Sequence, residues 1–111
     1  MAALKPRRGE VWWVNFNPTI GTEVQKQRPA IIVSNDISNK FLDRVQVVPL
    51  TSNTEKVYPS EALVTVKKQA AKAMTDQIRT VSVERLGKKI SSLTAIELVA
   101  VELVLRMQLG L

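Results

Sequence analysis

The sequence predicts a small, mainly β barrel that is closed by a C-terminal α-helix. Short apolar or alternating stretches, separated by turn residues, recur from about residue 10 to residue 90, and the apolar period then becomes helical. Repeated short strands with turn signals between them are typical of a barrel. With 111 residues, 45% of them apolar and 23% charged, the chain is expected to form one globular domain spanning residues 1–111.

Six stretches are predicted as strands, either because they alternate or because they are continuously apolar. They cover residues 10–16, 30–34, 44–50, 62–67, 76–83 and 88–90. Pro49 indicates a bulge or a sheet edge, because proline has no N–H to donate to a strand ladder. Residues 69–73 are expected to form a short linker, and residues 38–41 one helical turn.

The last segment is predicted as an α-helix over about residues 95–109. Thr94 and Glu97 have the spacing of a capping box, and Gly110 is a suitable stop. The apolar face of this helix is wider than a lone amphipathic helix needs. Two explanations stay open: the helix is buried within its own subunit, or it also contacts a second subunit.

The composition excludes several kinds of chemistry. The chain has no cysteine and no histidine, so cysteine-ligated metals, disulfides and a histidine base are all excluded. A formal net charge of +6 favours polyanionic partners such as nucleic acid. The basic start of the chain does not lead into an apolar stretch, so we expect no signal peptide and a cytoplasmic location. Charged residues within the apolar C-terminal segment argue against a membrane span.

Three polar positions lie at predicted junctions between strands and loops, where small barrels commonly place function. They are Arg28 before Pro29, Thr51 after the third strand, and Asp76 with Gln77 beside it. Residue type and spacing alone favour ordinary surface and turn roles for each of them. The same holds for the basic flank of Lys67, Lys68 and Lys72. The aromatic residues Trp12, Trp13 and Phe16 are expected to be core or dimer contacts rather than platforms for base stacking.

Four sequence blocks together resemble the MazF/PemK/Kid toxins, in family order and at family spacing over nearly the whole chain. They are RGEVWWVNFNP at residues 8–18, GTE at 21–23 with QRPAIIVSN at 27–35, VVPLTS at 47–52, and DQIRT at 76–80 followed by Arg85 and Leu86. The resemblance implies an SH3-like barrel of the CcdB/MazF/Kid type. It also implies a homodimer, sequence-preferring cleavage of single-stranded RNA without a cofactor, and a MazE-like antitoxin that wraps the toxin.

The resemblance also implies roles for individual residues. Arg28 and Thr51 match the pair regarded as catalytic in the family, and Asp76 matches the general base of some members. In that branch a basic residue stands two places before the aspartate, where this chain has Met74, so Glu23 is kept as the alternative base.

RNA chemistry fits these residue types independently. The 2′-hydroxyl of RNA can attack its own phosphate, so neither a protein nucleophile nor a metal is required. Arg28 is suited to stabilise charge on the phosphate, and Thr51 to donate a hydrogen bond to it. Lys26, in the predicted loop of residues 19–27, is expected to contact phosphate. The polar residues expected to contact base edges are Asn35, Asn39, Ser52 and Gln77.

Two other functions compete with the nuclease. A non-enzymatic gyrase poison with a CcdB-like barrel is the first, although the tail of residues 107–111 lacks the aromatic residue of such poisons. An inert barrel that binds RNA or protein is the second, and it predicts salt-sensitive RNA binding without product. An acidic antitoxin with a disordered tail is expected as the partner, because a basic groove attracts acidic chains.

Overall fold

The structure is a computed structural model that describes residues 5–18, 20–23 and 26–111. Within these ranges the chain forms seven β-strands, two α-helices and two 3₁₀ turns, at Thr75–Gln77 and Val83–Arg85. The strands and helices are β1 (Glu10–Asn15), β2 (Gln27–Ile32), α1 (Asp36–Phe41), β3 (Arg44–Thr51), β4 (Glu61–Val66), β5 (Gln69–Met74), β6 (Arg79–Ser82), β7 (Leu86–Ser92) and α2 (Ala95–Leu109).

All strand pairs are antiparallel, in the order β4-β5-β3-β2-β1-β7, and the sheet curls into a half-barrel. The long strand β3 is its centre. One edge of β3 pairs with β2, whereas the other pairs with β6 up to Val47 and with β5 from Leu50 onward. Pro49 marks neither a bulge nor an edge: it lies where the ladder on this second edge changes from β6 to β5, and its missing N–H is tolerated there.

Two apolar clusters form on the two faces of the curled sheet, because residues of β1, β2 and β3 alternate between them. The first cluster includes Val11, Ile31, Val48 and Leu50, together with residues of β4 and β5, and α2 adds Val101 to it. The second cluster is formed by Trp12, Val14, Phe16, Ala30, Ile32, Val45, Val47, Val81 and Leu86. Arg28, near the start of β2, and Thr51, at the end of β3, lie at one end of this two-sided sheet.

The expected linker at residues 69–73 is wrong, because these residues belong to β5. A two-residue turn, Lys67-Lys68, joins β4 to β5, and Val66 pairs with Gln69 across it. The alanine-rich β5 has low strand propensity, and the turn lacks the usual Asn-Gly signal. Burial of Ala71 and Ala73 in the first cluster outweighs that weak local preference.

Asp76 does not begin a strand, as expected from the sequence, but lies in the 3₁₀ turn of Thr75–Gln77. The following strand, β6, is therefore shorter than predicted. The predicted stub at residues 88–90 is instead the full strand β7, which pairs with β1.

The predicted C-terminal helix is confirmed at both ends. The Thr94 hydroxyl accepts from Glu97 N, the Glu97 carboxylate accepts from Thr94 N, and Gly110 ends the helix with left-handed backbone. On its outer side Ile96, Val99 and Leu103 are 84%, 61% and 62% exposed, so this side of α2 is not covered within its own subunit. In the part of the chain that the structure describes, no helix is both long and apolar enough to span a membrane.

Candidate active site

Arg28, near the start of β2, and Thr51, the last residue of β3, lie at the same end of two neighbouring antiparallel strands. The ladder between these strands ends at Ala30 opposite Pro49, two residues short of each. Arg28 pairs with Val14 of β1, and Thr51 pairs with Lys72 of β5. The structure brings the guanidinium and the hydroxyl that the sequence predicted as a pair to one cavity.

A cavity of about 470 Å³ lies where β2 begins and β3 ends, and both Arg28 and Thr51 line it. Because it lies at strand ends, residues from both sheet faces border it. Its apolar part includes Trp13, Pro29, Leu50, Val66 and Ile90, and its cationic part consists of Lys26, Arg28 and Lys67. Among the described residues that line it, none carries a carboxylate. This cavity, called the Arg28 cavity below, therefore suits a ligand with an apolar and an anionic portion.

The Thr51 hydroxyl is oriented by its own turn. Its Oγ1 accepts a hydrogen bond of 3.2 Å from the backbone N–H of Asn53. Because a hydroxyl can accept and donate at once, the proton on Oγ1 remains available for a phosphate oxygen.

Lys72 of β5 pairs with Thr51 along the edge of β3 that faces away from β2. Its Nζ is 3.2 Å from Glu61 Oε1 and donates to the backbone carbonyl of Lys56 at 2.9 Å. Lys72, one of the three lysines of the predicted basic flank, is therefore held by contacts within the subunit.

The two candidate bases lie together in a second cavity of about 330 Å³. Glu23 and Asp76 line it with Gln77, Ile78 and Arg79. Glu23 is held by its loop, because its Oε1 accepts from Ile20 N at 2.9 Å. The structure therefore brings the bases together, but in a different cavity from Arg28 and Thr51.

Asn35 and Asn39, expected to contact bases, instead stabilise the segment around α1. Asn35 is the N-cap and accepts from Ser38 N at 2.9 Å. Asn39 is buried, and its side-chain amide donates to the backbone carbonyl of Ser34 at 2.9 Å. Of the other polar candidates, Ser52 and Lys26 line the Arg28 cavity, and Gln77 lines the second cavity.

Comparison with known proteins identifies the family. The profile of the PemK-like, MazF-like toxins of type II toxin–antitoxin systems matches residues 7–109. The chain belongs to this family. It is 40% identical to endoribonuclease MazF9 of Mycobacterium tuberculosis over 95% of this chain and 97% of that protein. It is 31% identical to endoribonuclease MazF of Staphylococcus epidermidis, over 95% and 92%.

The solved structures confirm the fold of this PemK/MazF-like toxin. The crystal structure of MazF from Deinococcus radiodurans superposes with a TM-score of 0.87 at 26% identity, covering 98% of this chain and 100% of that one. The SH3-like barrel of the CcdB/MazF/Kid type, with its C-terminal helix, is therefore confirmed. The comparisons do not favour the CcdB-like gyrase poison.

Trp13 lines the Arg28 cavity, which was not predicted from the sequence. Trp12 and Phe16 are buried in the second cluster, as expected, whereas Trp13 is 41% exposed and lines the Arg28 cavity. The alternation of side chains along β1 already indicates this exposure, because it puts Trp13 on the side of the strand opposite Trp12 and Val14. An exposed indole beside cations is a surface on which a nucleobase can stack.

Within the ranges that the structure describes, no cluster of three or more acidic side chains is arranged to hold a metal ion. The Arg28 cavity is thus lined by cations, hydroxyls and an aromatic ring, among other residues, and the two candidate bases line a different cavity.

Proposed function

We propose that this chain is the toxin of a type II toxin–antitoxin pair and that it cuts single-stranded RNA as a sequence-preferring endoribonuclease. The observation that carries the proposal is that Arg28 and Thr51 line one cationic cavity in a chain of this family. The names of the curated relatives, which are endoribonucleases, support the same activity.

In the proposed reaction the RNA supplies its own nucleophile. The 2′-oxygen bonds to the adjacent phosphorus, the bond from phosphorus to the 5′-oxygen breaks, and a proton moves in net from the 2′-hydroxyl to the 5′-oxygen. The products are a 2′,3′-cyclic phosphate and a free 5′-hydroxyl. No step in this balance needs a redox partner or a protein nucleophile.

Arg28 and Thr51 act on the phosphate. The guanidinium has several donors in a fixed plane, and it stays charged throughout, so it can stabilise the charge that develops on the phosphate oxygens. Thr51 adds one directed hydrogen bond. A preorganised donor of this kind contributes about 3–4 kcal/mol in comparable oxyanion sites.

The general base is Asp76 or Glu23, the two carboxylates of the second cavity. Met74 lies where the Asp76-using branch has a basic residue, and its sulfur is 3.9 Å from Gln77 Nε2 rather than beside a cation. Either carboxylate can act as the general base only if the bound RNA runs from the Arg28 cavity to the second cavity. Lys26 and Ser52 contact it at the first cavity, and Gln77 at the second.

Partners follow from charge and from the exposed face of α2. An acidic, disordered antitoxin tail suits a chain with a net charge of +6. The exposed apolar residues of α2 support the homodimer that the family resemblance implies. RNA as the substrate favours the cytoplasm as the place of action.

The test is cleavage of a long, defined RNA in excess EDTA, with the product ends identified. We expect cyclic phosphate ends, persisting activity in EDTA, and a loss of several hundredfold in kcat for Arg28→Ala. Arg44→Ala, at the exposed start of β3, is the control for loss of one positive charge. Full activity of Arg28→Ala, or activity that needs magnesium, contradicts the mechanism. A wild-type protein that inhibits purified gyrase and leaves RNA intact contradicts the function itself.

A further inference from the structure

Three lysines of this chain have a backbone conformation that lysine rarely adopts. Among the described residues, the non-glycine residues with positive φ are Lys26 at 64°, Lys67 at 48° and Lys68 at 70°. The left-handed conformation costs an L-residue about 1–2 kcal/mol, and glycine, asparagine or aspartate usually occupy it. Strain that a protein retains at particular positions is a reason to look for function there.

The β4–β5 turn explains the backbone but not the residue type. Lys67 and Lys68 are its two central residues, and both have the positive φ of a type I′ turn. That turn matches the twist of the flanking strands and is normally made by Asn-Gly. The structure keeps two lysines where the local preference is for residues without a long cationic side chain.

Contacts within the subunit do not account for Lys67. Lys72 and Lys89 each form an ion pair, at 3.2 Å to Glu61 and 3.0 Å to Glu10. Lys67 forms no ion pair with any residue that the structure describes, and its side chain is exposed. It lines the Arg28 cavity, whereas its neighbour Lys68 does not.

We propose that Lys67 binds a backbone phosphate of the RNA other than the scissile one, at the cavity that it shares with Arg28. Strands β5 and β3 separate the hairpin tip from β2, and neighbouring strands are about 4.8 Å apart. The backbones of Lys67 and Arg28 are thus roughly 10 Å apart along the sheet, and because both residues line the cavity, their charges can hold neighbouring phosphates of one strand. Lys67 is therefore a substrate-binding residue that extends the length of RNA bound at the site. This inference rests on the proposed nuclease function.

The hairpin supplies a matched control. Lys67→Asn and Lys68→Asn remove the same charge from adjacent positions, and asparagine tolerates positive φ, so both variants should fold at least as stably as the wild type. Lys67→Arg restores the charge. Binding is measured on a single-stranded RNA that the wild type cuts, made uncleavable by a 2′-deoxy substitution at the cut site, over a series of salt concentrations.

We expect Lys67→Asn to reduce the slope of log Kobs against log salt by about 0.7, the value for one phosphate contact on a single strand. Its KM on cleavable RNA should rise several-fold with kcat little changed. Lys68→Asn should keep the wild-type slope and KM, and Lys67→Arg should recover both. Equal slopes for the two asparagine variants overturn the proposal, whether both are reduced or neither is. Failure of the wild type to cut any RNA instead overturns the nuclease function.

Discussion

Glu97 joins α2 to the sheet, and its removal should measurably destabilise the fold. One carboxylate oxygen accepts from Thr94 N at 3.0 Å, completing the capping box of the helix. The other accepts from Thr65 N in β4 at 2.6 Å. A single side chain thus caps the helix and attaches it to a strand 32 residues earlier in the chain.

The loss can be estimated from these contacts. A helix N-terminal cap contributes about 1 kcal/mol, and a hydrogen bond to a charged group about 1.5–3 kcal/mol. Because Glu97 is partly exposed, the low end applies, so Glu97→Ala should lose about 2.5 kcal/mol. In Glu97→Gln the amide oxygen still caps the helix, but the NH₂ group cannot accept a hydrogen bond from the Thr65 N–H. The loss should therefore be about 1.5 kcal/mol. For a chain of 111 residues, these losses lower Tm by about 10 °C and 6 °C.

The pH dependence provides a second, independent readout. Burial is the largest influence on Glu97 and raises its pKa, but hydrogen bonds from Thr94 and Thr65 outweigh it and hold the pKa below the ordinary 4.5. A lowered carboxyl pKa stabilises the fold above the unfolded-state pKa, and this contribution disappears as pH falls through the folded-state pKa. The difference in stability between wild type and Glu97→Gln should therefore be full near pH 7 and shrink below about pH 4.5.

Thermal and urea unfolding, followed by circular dichroism, measure both effects. Glu55→Gln, which changes an exposed loop carboxylate, serves as the control and should stay within about 0.5 kcal/mol of the wild type. If Glu97→Ala unfolds at the wild-type temperature, or if the difference does not depend on pH, the carboxylate does not hold α2 to β4 as argued.

Two further predictions concern surfaces exposed in the single subunit. If Trp13 stacks on a base, Trp13→Ala should lower kcat/KM roughly 5- to 150-fold on intact RNA and have little effect on RNA lacking that base; an equal loss on both substrates would assign Trp13 to packing. Because Leu103 is 62% exposed, Leu103→Glu should leave the subunit folded but shift the sedimentation of a dimer toward that of a monomer. An unchanged mass for this variant would remove this part of α2 from the dimer contact.

The sequence predicted the elements whose local signals agree with their packing. The helix α2 has a cap, a stop and an apolar face that all favour the same boundaries, and it begins and ends where the sequence indicates. Strand β5 is the opposite case. Its alanines carry little strand preference and its turn residues are lysines, so only the long-range pairing of β4, β5 and β3 establishes it.

Within the candidate site, the sequence predicted residue types better than their grouping. Arg28 and Thr51 come to one cavity because β2 and β3 are antiparallel neighbours, which alternation alone does not specify. Asn39 was expected at the RNA because asparagine offers base-like donors and acceptors. Its place on the inner side of α1, hydrogen-bonded to Ser34, depends on how the helix packs against β3.

The separation of the cationic cavity from the carboxylates bears on how the reaction can work. A carboxylate next to Arg28 would form an ion pair with it and weaken its hold on phosphate, whereas a base must still reach the 2′-hydroxyl, on the ribose carbon next to the one that carries the scissile phosphate. Glu23 and Asp76 line a different cavity from the one that Arg28 lines. The base then meets the phosphate site only when RNA occupies both cavities. On this view, substrates too short to fill the second cavity should still bind through Arg28, Lys26 and Lys67, but should be cut slowly.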